Sequence, residues 1–370
     1  MYDKIMKVGM LFPDKKTEKG IAIYSENLIS AIKKNEVKIE TINYKRGSLL
    51  SLLKTISKLR KFDLIHIQHE NRLFGPIDGI WFAPFMLLLG FLKKGKFIMT
   101  FHNVHTKEEK LFSLHPILNY IKRYLTHPLN YLFADFFSEA IIVHTNFLKK
   151  DLIKSSTIKP SKIIVIPQGV NNRKKIFNKE KARKKLNLNL IKPVYLLIGN
   201  MGPNKGFDII IKQAKKINGI ILVVGDDSNT GRNYVLEMKK IVNGKKLNKL
   251  VKFDIKEGIN ANEDIWWIYL SATDLVLLPY RVMTTSGIFI DAIEAGKPVV
   301  GCNSKYFKEI SKKYSCIKIA KNEEDYPRVI EEAIKDLKKM EFEAKRFAKN
   351  NNILLIAKHH KKIYSSLLKR

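Results

Sequence analysis

Residues Tyr280 to Val300 read Tyr-Arg-Val-Met-Thr-Thr-Ser-Gly-Ile-Phe-Ile-Asp-Ala-Ile-Glu-Ala-Gly-Lys-Pro-Val-Val. This stretch follows an apolar strand at 274–279, and it contains a hydroxyl-rich turn, a short helix, a glycine stop and a second strand. The first N–H groups of a helix lack internal partners, and the helix dipole favours negative charge there. We therefore expect an anion site in an α/β fold, formed by Thr285, Ser286 and Gly287.

Two carboxylates follow the predicted anion site within the same helix. Asp291 lies five residues into the helix, where it could accept hydrogen bonds from a ribose while the helix start holds a phosphate. This pairing suggests a nucleotide diphosphate site. Glu294 is three residues further on, and we interpret it as a surface carboxylate near the helix end.

The length and composition indicate two globular domains. A chain of 370 residues with 45% apolar residues can bury two cores. Cys302 and Cys316 match no metal-binding spacing, which favours a reducing compartment. The chain enters a strand-like segment at once and has no apolar run of about 18–20 residues, so we expect no signal peptide and no membrane span. We expect a cytoplasmic protein, with a peripheral position on the inner face of the cell membrane as an alternative.

The net charge of +33 is extreme. It attracts anions of every kind, including phosphorylated ligands and an anionic membrane surface. Most of the lysines are spread along the chain and are interpreted as solvated. No basic stripe with interleaved aromatic residues is present, so no specific nucleic-acid partner is expected.

Short apolar strands alternate with amphipathic helices along the whole chain. This alternation predicts two doubly wound, Rossmann-like domains with parallel sheets. The predicted strands are 5–12, 37–44, 64–68, 97–101, 140–143, 163–167, 194–198, 220–224, 250–253, 275–278, 298–301 and 316–319. The predicted helices are 22–33, 50–59, 117–137, 146–153, 207–217, 234–242, 263–270, 286–295, 325–338 and 353–370.

The domain boundary is expected in the polar stretch 171–191. The predicted domains are therefore 1–170 and 171–350, and 351–370 forms a helix that packs back toward the first domain. Ligands of doubly wound sheets bind at the carboxyl ends of the strands. We therefore expect the functional residues in loops after strands, facing a central cleft.

Three strand ends in the first half carry polar motifs. Gly20 begins a helix after the first strand, where a phosphate could approach the backbone or where turn chemistry alone explains the glycine. Gln68, His69 and Glu70 end the third strand as candidate acceptor-side residues or as a polar helix cap. His102 ends the fourth strand and could contact a sugar hydroxyl.

No metal site is expected. A zinc pair of His102 and His105 would lack a nearby cysteine or a His-Glu-x-x-His helix.

The second half contains a glycine-rich loop, Gly199-Asn-Met-Gly-Pro-Asn-Lys-Gly206, between a strand and a helix. Backbone N–H groups together with the Lys205 ammonium could grip a phosphate. The loop is neither a P-loop nor Gly-x-Gly-x-x-Gly, and a turn with a surface lysine is the alternative.

An apolar segment, Trp81 to Lys94, is too short to span a bilayer. It is either a buried helix or an interfacial helix with Trp81, Lys93 and Lys94 as membrane anchors, and the basic aromatic stretch 120–131 could assist.

In this order the motifs resemble a retaining glycosyltransferase of the GT-B fold, within family 4. The resemblance covers nearly the whole chain, from Lys7 to Gly301. Its motifs are Gly20-Ile-Ala, Gln68-His-Glu with Phe74-Gly75, Thr100-Phe-His-Asn, Ile164-Val-Ile-Pro-Gln-Gly-Val, Gly199 to Gly206, Val224-Gly225-Asp226, and Thr284-Thr-Ser-Gly followed by Gly296-Lys-Pro-Val-Val.

The resemblance implies a role for each matching residue. Lys205 would neutralise the donor diphosphate, and the Ser286 and Gly287 N–H groups would hold its distal phosphate. Asp291 would bind the ribose, and His102 would touch the transferred sugar. The other residues implied on the donor side are Gly20, Gly199, Asn200, Gly206, Gly225, Asp226 and Thr285.

The implied reaction transfers a hexose from a nucleotide diphosphate sugar, with retention and without a metal or another cofactor. The implied acceptor is a glycan, a lipid-linked molecule or a small molecule. Mannose from a guanosine donor and a hexose from a uridine donor are both expected possibilities.

Two departures from the family pattern leave an alternative open. Asn200 stands where the family often has arginine, and Met283 stands at the first glutamate of the usual pair. Arg281 or Arg232 could replace the missing cation. The alternative is a catalytically degenerate GT-B protein that binds a nucleotide or an anionic glycan at a membrane surface.

Overall fold

A computed structural model describes residues 7–92, 95–106, 116–171, 176–226, 231–256, 259–261 and 263–369. The chain divides into two compact units. Unit 1 comprises Met1–Gly169 and Ile353–Arg370, and unit 2 comprises Val170–Asn352.

Unit 1 is built on a six-stranded parallel sheet in the order β2-β1-β3-β4-β5-β6. Its strands are β1 (Lys7–Pro13), β2 (Lys38–Tyr44), β3 (Leu64–His69), β4 (Lys96–Phe101), β5 (Ala140–Val143) and β6 (Ile163–Val165). The connecting helices are α1 (Lys19–Lys33), α2 (Leu49–Leu53), α3 (Ile56–Leu59), α4 (Pro76–Gly79), α5 (Phe82–Leu92), α6 (Pro116–Ile121), α7 (His127–Phe137) and α8 (Asn146–Ser155). The central strands read as continuous apolar runs because helices cover both faces of a parallel sheet.

Unit 2 repeats this design in the order β12-β11-β10-β7-β8-β9. Its strands are β7 (Val194–Asn200), β8 (Ile220–Asp226), β9 (Val251–Ile255), β10 (Leu275–Leu278), β11 (Val299–Gly301) and β12 (Ile317–Ile319). Its helices are α9 (Lys179–Lys185), α10 (Phe207–Lys212), α11 (Gly231–Gly244), α12 (Asp264–Ala272), α13 (Gly287–Glu294), α14 (Lys305–Ser311), α15 (Tyr326–Lys335) and α16 (Leu337–Asn350).

The last helix, α17 (Ile353–Lys369), returns to unit 1 and packs on α1. Its inner face buries Ile356, Ala357, His360 and Tyr364. The predicted fold class, two doubly wound α/β domains with parallel sheets, is confirmed.

In both sheets the strand order reverses next to the first strand of the unit. β1 lies between β2 and β3, and β7 lies between β8 and β10. The loops that leave such a switch point diverge to opposite faces of the sheet and open a crevice at the carboxyl ends of the strands. The crevice of unit 2 therefore lies between the loops that follow β7 and β10.

Several helix predictions differ from the structure. The single helix predicted at 50–59 is two short helices, α2 and α3. The helix predicted at 117–137 contains a π-helical turn at Lys122–Thr126 between α6 and α7. The predicted boundary stretch 171–191 contains helix α9. The Asn178 side chain caps the start of α9 by accepting from the Lys181 N–H.

Candidate functional site

The predicted phosphate site lies where β7 and β10 end side by side. The two strands pair in parallel, so the loops that follow them leave the same edge of the sheet. Gly206 has a φ of 65°, and a Cβ at this position would lie 2.0 Å from the Pro279 carbonyl oxygen. Glycine is therefore required here. It brings the lysine loop (residues 199–206) against the β10 turn (residues 279–286).

Further contacts tie the lysine loop to the β10 turn. The Arg281 N–H donates to the Asn204 carbonyl oxygen at 2.9 Å, and the Arg281 guanidinium donates to the Pro203 carbonyl oxygen at 2.7 Å. The Lys205 ammonium lies 4.1 Å from the centre of the Tyr280 ring, which is a cation–π distance. Lys205 is thus positioned beside the β10 turn at the edge of the sheet where the strands end.

The start of α13 lies in the same crevice. Ser286 is the N-cap, and its buried hydroxyl accepts from the Phe289 N–H at 3.1 Å. A Cβ built on Gly199 would lie 3.6 Å from the Ile288 side chain, so the lysine loop touches the first turn of α13. A Cβ on Gly287 would meet no atom of the described residues within 4 Å. The space beside Gly287 is therefore open, and the first N–H groups of a helix are the donors that an anion there would use.

Arg281 is committed to a structural pair. Its guanidinium makes two hydrogen bonds to the Asp208 carboxylate, at 2.8 and 2.9 Å. Burial alone would raise the pKa of Asp208, but hydrogen bonds from Arg281, Tyr234 and Lys212 hold that pKa well below its ordinary value. The structure therefore gives no support to Arg281 as a replacement for the missing phosphate-binding cation. Arg232, the other residue considered, is exposed in the first turn of α11.

Gly225 and Asp226 end β8, directly beside the lysine loop. A Cβ on Gly225 would lie 2.0 Å from the Gly199 carbonyl oxygen, which explains the need for glycine. The Asp226 carbonyl oxygen accepts from the Met201 N–H at 3.0 Å. Asp226 is buried, whereas Asn200 at the end of β7 is exposed. The ends of β7, β8 and β10 thus converge at one edge of the sheet.

The two carboxylates of α13 lie in different environments. Asp291 is half-buried, one turn from the start of the helix. Glu294 is only 8% exposed, so its interpretation as a surface carboxylate is wrong. The neighbouring residues Phe289, Ile290, Ala292 and Ile293 are also buried, which shows that the second half of α13 is covered on several sides. The position of Glu294 within the helix could not predict its burial, because that depends on which other segments pack against α13.

In unit 1, the start of α1 already holds a carboxylate. Glu18 is the N-cap, and its side chain accepts from the Gly20 N–H at 3.3 Å. Burial raises the pKa of Glu18, and the Arg46 guanidinium, 2.8 Å away, counteracts this shift. The approach of a phosphate to Gly20 would therefore have to displace Glu18, a residue that the sequence reasoning missed.

His102 belongs to a buried chain of hydrogen bonds. Its Nε2 lies 2.9 Å from the Gln68 Oε1 atom, and the Gln68 amide nitrogen lies 3.4 Å from the His66 Nε2 atom. The chain is completed by contacts of His66 with the Thr100 hydroxyl at 2.7 Å and with the Tyr364 hydroxyl at 2.6 Å. One consistent proton assignment has the His102 Nε2–H donating to the Gln68 Oε1 atom, while the His66 Nε2 atom accepts from the Thr100 hydroxyl and shares its one lone pair with the longer Gln68 N–H contact.

This assignment leaves the His102 Nδ1 atom as an acceptor. Burial, with smaller effects from His144 and His69, holds the pKa of His102 well below its usual range, so the ring is neutral. Gln68 itself is fully buried. Gln68 is therefore placed to orient the His102 ring, and its full burial does not favour the predicted acceptor-side contact.

His69 is a core residue, and its predicted acceptor-side role is wrong. It is fully buried and stacks against Phe101 and Phe74, with ring centroids 4.3 and 5.3 Å away. Its ring nitrogens have no hydrogen-bond partner among the described residues, and burial lowers its pKa to about 3. Glu70 is half-buried and receives two hydrogen bonds from Arg72, at 2.8 and 3.0 Å.

One group among the described residues has the composition of a metal site. Asp78, His105 and His127 each place a ligand atom within 4.8 Å of the others. The Lys122 ammonium lies 3.5 Å from Asp78 and already balances the carboxylate charge. Asp78 and the preceding Ile77 have left-handed backbone angles, with φ of 55° and 51°. We assign the cluster to fixing this strained turn.

Two family profiles match the chain. The family described as Glycosyltransferase Family 4 matches residues 19–174, and the family described as Glycosyl transferases group 1 matches residues 178–352. No curated protein sequence matches significantly.

Solved structures resemble the whole chain at low sequence identity. HepE of Anabaena, crystallised with UDP, is 16% identical and has a TM-score of 0.73, covering 98% of this chain and 100% of HepE. Sucrose-phosphate synthase of Thermosynechococcus elongatus is 15% identical and has a TM-score of 0.77, covering 98% and 99%. A glycosyltransferase of Rickettsia africae is 16% identical and has a TM-score of 0.72, covering both chains completely. With both profiles matched in order and this fold, the chain belongs to the GT-B glycosyltransferases of group 1 and family 4.

Proposed function

We propose that the protein is a retaining hexosyltransferase. It would move a hexose from a nucleotide diphosphate sugar, either GDP-mannose or a UDP-hexose, to a hydroxyl of a glycan, lipid-linked or small-molecule acceptor. The observation that carries this proposal is the packing of the lysine loop, which bears Lys205, against the β10 turn and next to Ile288 in the first turn of α13, at the switch point of unit 2. Nucleotide sugars also fit the neighbours, because HepE was crystallised with UDP and with UDP-glucose.

In the proposed reaction, the leaving diphosphate gains negative charge as its bond to the sugar breaks. Lys205 and the α13 amides meet this charge with fixed positive groups, which need no reorganisation during the reaction. These groups supply the positive charge, so the proposal includes no metal or other cofactor. Asp291 is assigned to the ribose, and His102, through its Nδ1 atom, to a hydroxyl of the transferred sugar.

The decisive test removes the charge of Lys205. We expect Lys205→Ala to weaken nucleoside diphosphate binding by about 10- to 100-fold, since a charge-assisted hydrogen bond contributes about 1.5–3 kcal/mol. Binding is measured by calorimetry with GDP and UDP, preceded by a thermal-shift screen. The matched control is Lys216→Ala, which removes an exposed lysine of the same unit, before the amino end of β8.

Turnover is followed with labelled nucleotide sugars. We expect Lys205→Ala and Asp291→Ala to lower hydrolysis or transfer, and Lys216→Ala to leave both unchanged. Intact turnover in Lys205→Ala and Asp291→Ala would refute the assigned site.

A degenerate binding protein is the second candidate, favoured by the sequence at two positions. Asn200 and Met283 replace a cation and a carboxylate of the family pattern, and Arg281 is paired with Asp208 instead of being available. This candidate predicts nucleoside diphosphate binding with no turnover of any nucleotide sugar. Detectable transfer from GDP-mannose or UDP-glucose would eliminate it.

A further inference from the structure

Helix α5 is apolar on all sides and yet lies at the surface. Phe82, Phe85, Met86 and Leu89 face the core and are buried. The opposite side presents Leu87, Leu88, Phe91 and Leu92, and Phe91 is 81% exposed. No charged residue occurs between Phe82 and Leu92. A helix that is hydrophobic all round is normally buried in a protein or a membrane. We therefore expect the outer side of α5 to contact an apolar partner.

The run from α6 through the π-helical turn to α7 carries a second apolar stripe. Leu125, Leu129, Leu132 and Phe136 recur at helical spacing and are all exposed, with Phe136 at 80%. No residue of α6 is buried, and the exposed apolar side chains at this end of the run are Ile117, Leu118, Tyr120 and Tyr124.

The two stripes belong to helices that pack side by side. A Cβ on Gly90 would lie 2.0 Å from the Phe137 ring, so α5 and α7 are in direct contact. We call the exposed apolar residues of α5, α6, α7 and the π-helical turn between them the α5–α7 surface. It holds twelve of the twenty-three large apolar side chains that are exposed in the described residues. Such a concentration marks an interaction surface rather than ordinary scatter.

Two lysines, Lys154 and Lys162, lie at the border of the α5–α7 surface. Lys154 lines a cavity of about 390 Å³ together with Leu132. Lys162 pairs at 3.0 Å with Asp135, the acid next to Phe136, and so neutralises it. The whole chain carries a net charge of +33. An apolar surface with a basic border fits an anionic lipid headgroup layer over acyl chains.

The charge of the chain also favours an anionic lipid surface over a second copy of the chain or a nucleic acid. A second copy of the chain would also carry a net charge of +33, and repulsion between the two copies disfavours a dimer at low salt. Nucleic acid would need exposed cations on the surface itself, but the two cations of the π-helical turn, Lys122 and Arg123, are half-buried. No helix among the described residues is long and apolar enough to cross a bilayer, so the lipid contact would be interfacial.

We propose that the α5–α7 surface docks on an anionic lipid bilayer. Phe91 and Phe136 enter the boundary between headgroups and acyl chains, and Tyr120 and Tyr124 lie at headgroup level. The inference goes beyond sugar transfer and does not depend on the donor site.

The anchors differ from those predicted from the sequence. Trp81 is half-buried and packs against Gly75, because a Cβ on Gly75 would lie 2.0 Å from its ring, and its role as an anchor stays a prediction. Lys93 and Lys94 lie outside the described residues.

The test is flotation of the full chain with vesicles of phosphatidylglycerol and phosphatidylcholine, compared with vesicles of phosphatidylcholine alone. We expect binding to the anionic vesicles that weakens as salt rises, and a drop of about tenfold or more in the double variant Phe91→Glu/Phe136→Glu. Both side chains are largely exposed, so folding should survive, which circular dichroism and melting verify. The matched control is Phe342→Glu, a 68% exposed residue of unit 2.

The outcomes separate the possible partners. No vesicle binding by the unchanged chain overturns the proposal, as does equal binding by the double variant and the control. A dimer in light scattering that the double variant abolishes would assign the surface to a second copy and also overturn it. Nucleoside diphosphate binding, measured on the same variants, should be unchanged, so a failure here is distinguishable from a failure of the proposed donor site.

Discussion

At the scale of single residues, burial decides what each histidine can do. His69 and His102 both follow the pattern of a polar residue at a strand end. The first is enclosed by phenylalanine rings, and the second is half-buried and bonded to Gln68. The ends of β3 and β4 place both near the carboxyl edge of the sheet, but only the packing of α5 and β4 around His69 removes it from the candidate site.

The Gln68 amide should fix the tautomer of His102. We expect Gln68→Leu, which keeps the side-chain volume approximately, to remove the acceptor of the Nε2–H and to produce a mixture of tautomers. Nitrogen-15 NMR of the labelled ring measures this mixture. Turnover should fall by about tenfold or more while nucleoside diphosphate affinity is unchanged, since only the geometry at His102 alters.

A control for this prediction lies at the far end of the same chain of hydrogen bonds, at Tyr364. Tyr364→Phe deletes a hydroxyl that contacts His66 and leaves the Gln68–His102 bond in place. It should alter the His102 tautomer less than Gln68→Leu does. An unchanged His102 spectrum in Gln68→Leu would contradict the positioning role.

At the scale of elements, an ion pair holds together the segments that border the crevice of unit 2. Arg281 of the β10 turn reaches both Pro203 of the lysine loop and Asp208 at the start of α10. From the sequence, this arginine is a candidate to replace the family cation that is missing at Asn200. In the structure Arg281 links the β10 turn to the lysine loop, and its charge is paired with the buried Asp208 carboxylate.

Arg281→Met should therefore loosen the lysine loop. We expect nucleoside diphosphate affinity to fall by about tenfold and the melting temperature to drop, because Asp208 loses a two-point charge-assisted partner. Calorimetry and thermal melting measure the two effects. Lys212→Met, which removes a half-exposed partner of the same carboxylate, is the control and should leave affinity nearly unchanged. Equal nucleoside diphosphate affinities in Arg281→Met and the unchanged protein would contradict the role of Arg281 in holding the lysine loop in place.

At the scale of the whole molecule, the titratable groups are divided unequally between the units. All nine histidines lie in unit 1, and none lies between Val170 and Asn352. Burial lowers the pKa of His144 and of His360 to about 4. An unfolded chain binds these protons near pH 6.5, so it binds more protons than the folded state as the pH falls below that value.

Mild acid should consequently destabilise unit 1 first. We expect the free energy of unfolding of unit 1 to fall between about pH 6.5 and 5, by up to about 1.4 kcal/mol per pH unit for each such histidine. Hydrogen exchange followed by mass spectrometry, corrected for intrinsic rates, should show faster exchange in unit 1 and little change in unit 2. His360→Phe should flatten the response. An equal loss of protection in both units would contradict this reading.

The sequence by itself determined the alternation of strands and helices, the glycine loops and the order of motifs, because these depend on local propensity and on side-chain periodicity. Only the tertiary structure decided which strand ends are neighbours: the order β10-β7-β8 places the lysine loop beside the start of α13, although Lys205 and Gly287 are 82 residues apart in the chain. It also decided the burial of His69 and Glu294, the pairing of Arg281 and the exposure of the α5–α7 surface. Each of these depends on which distant segment covers a side chain, and no local pattern encodes that information.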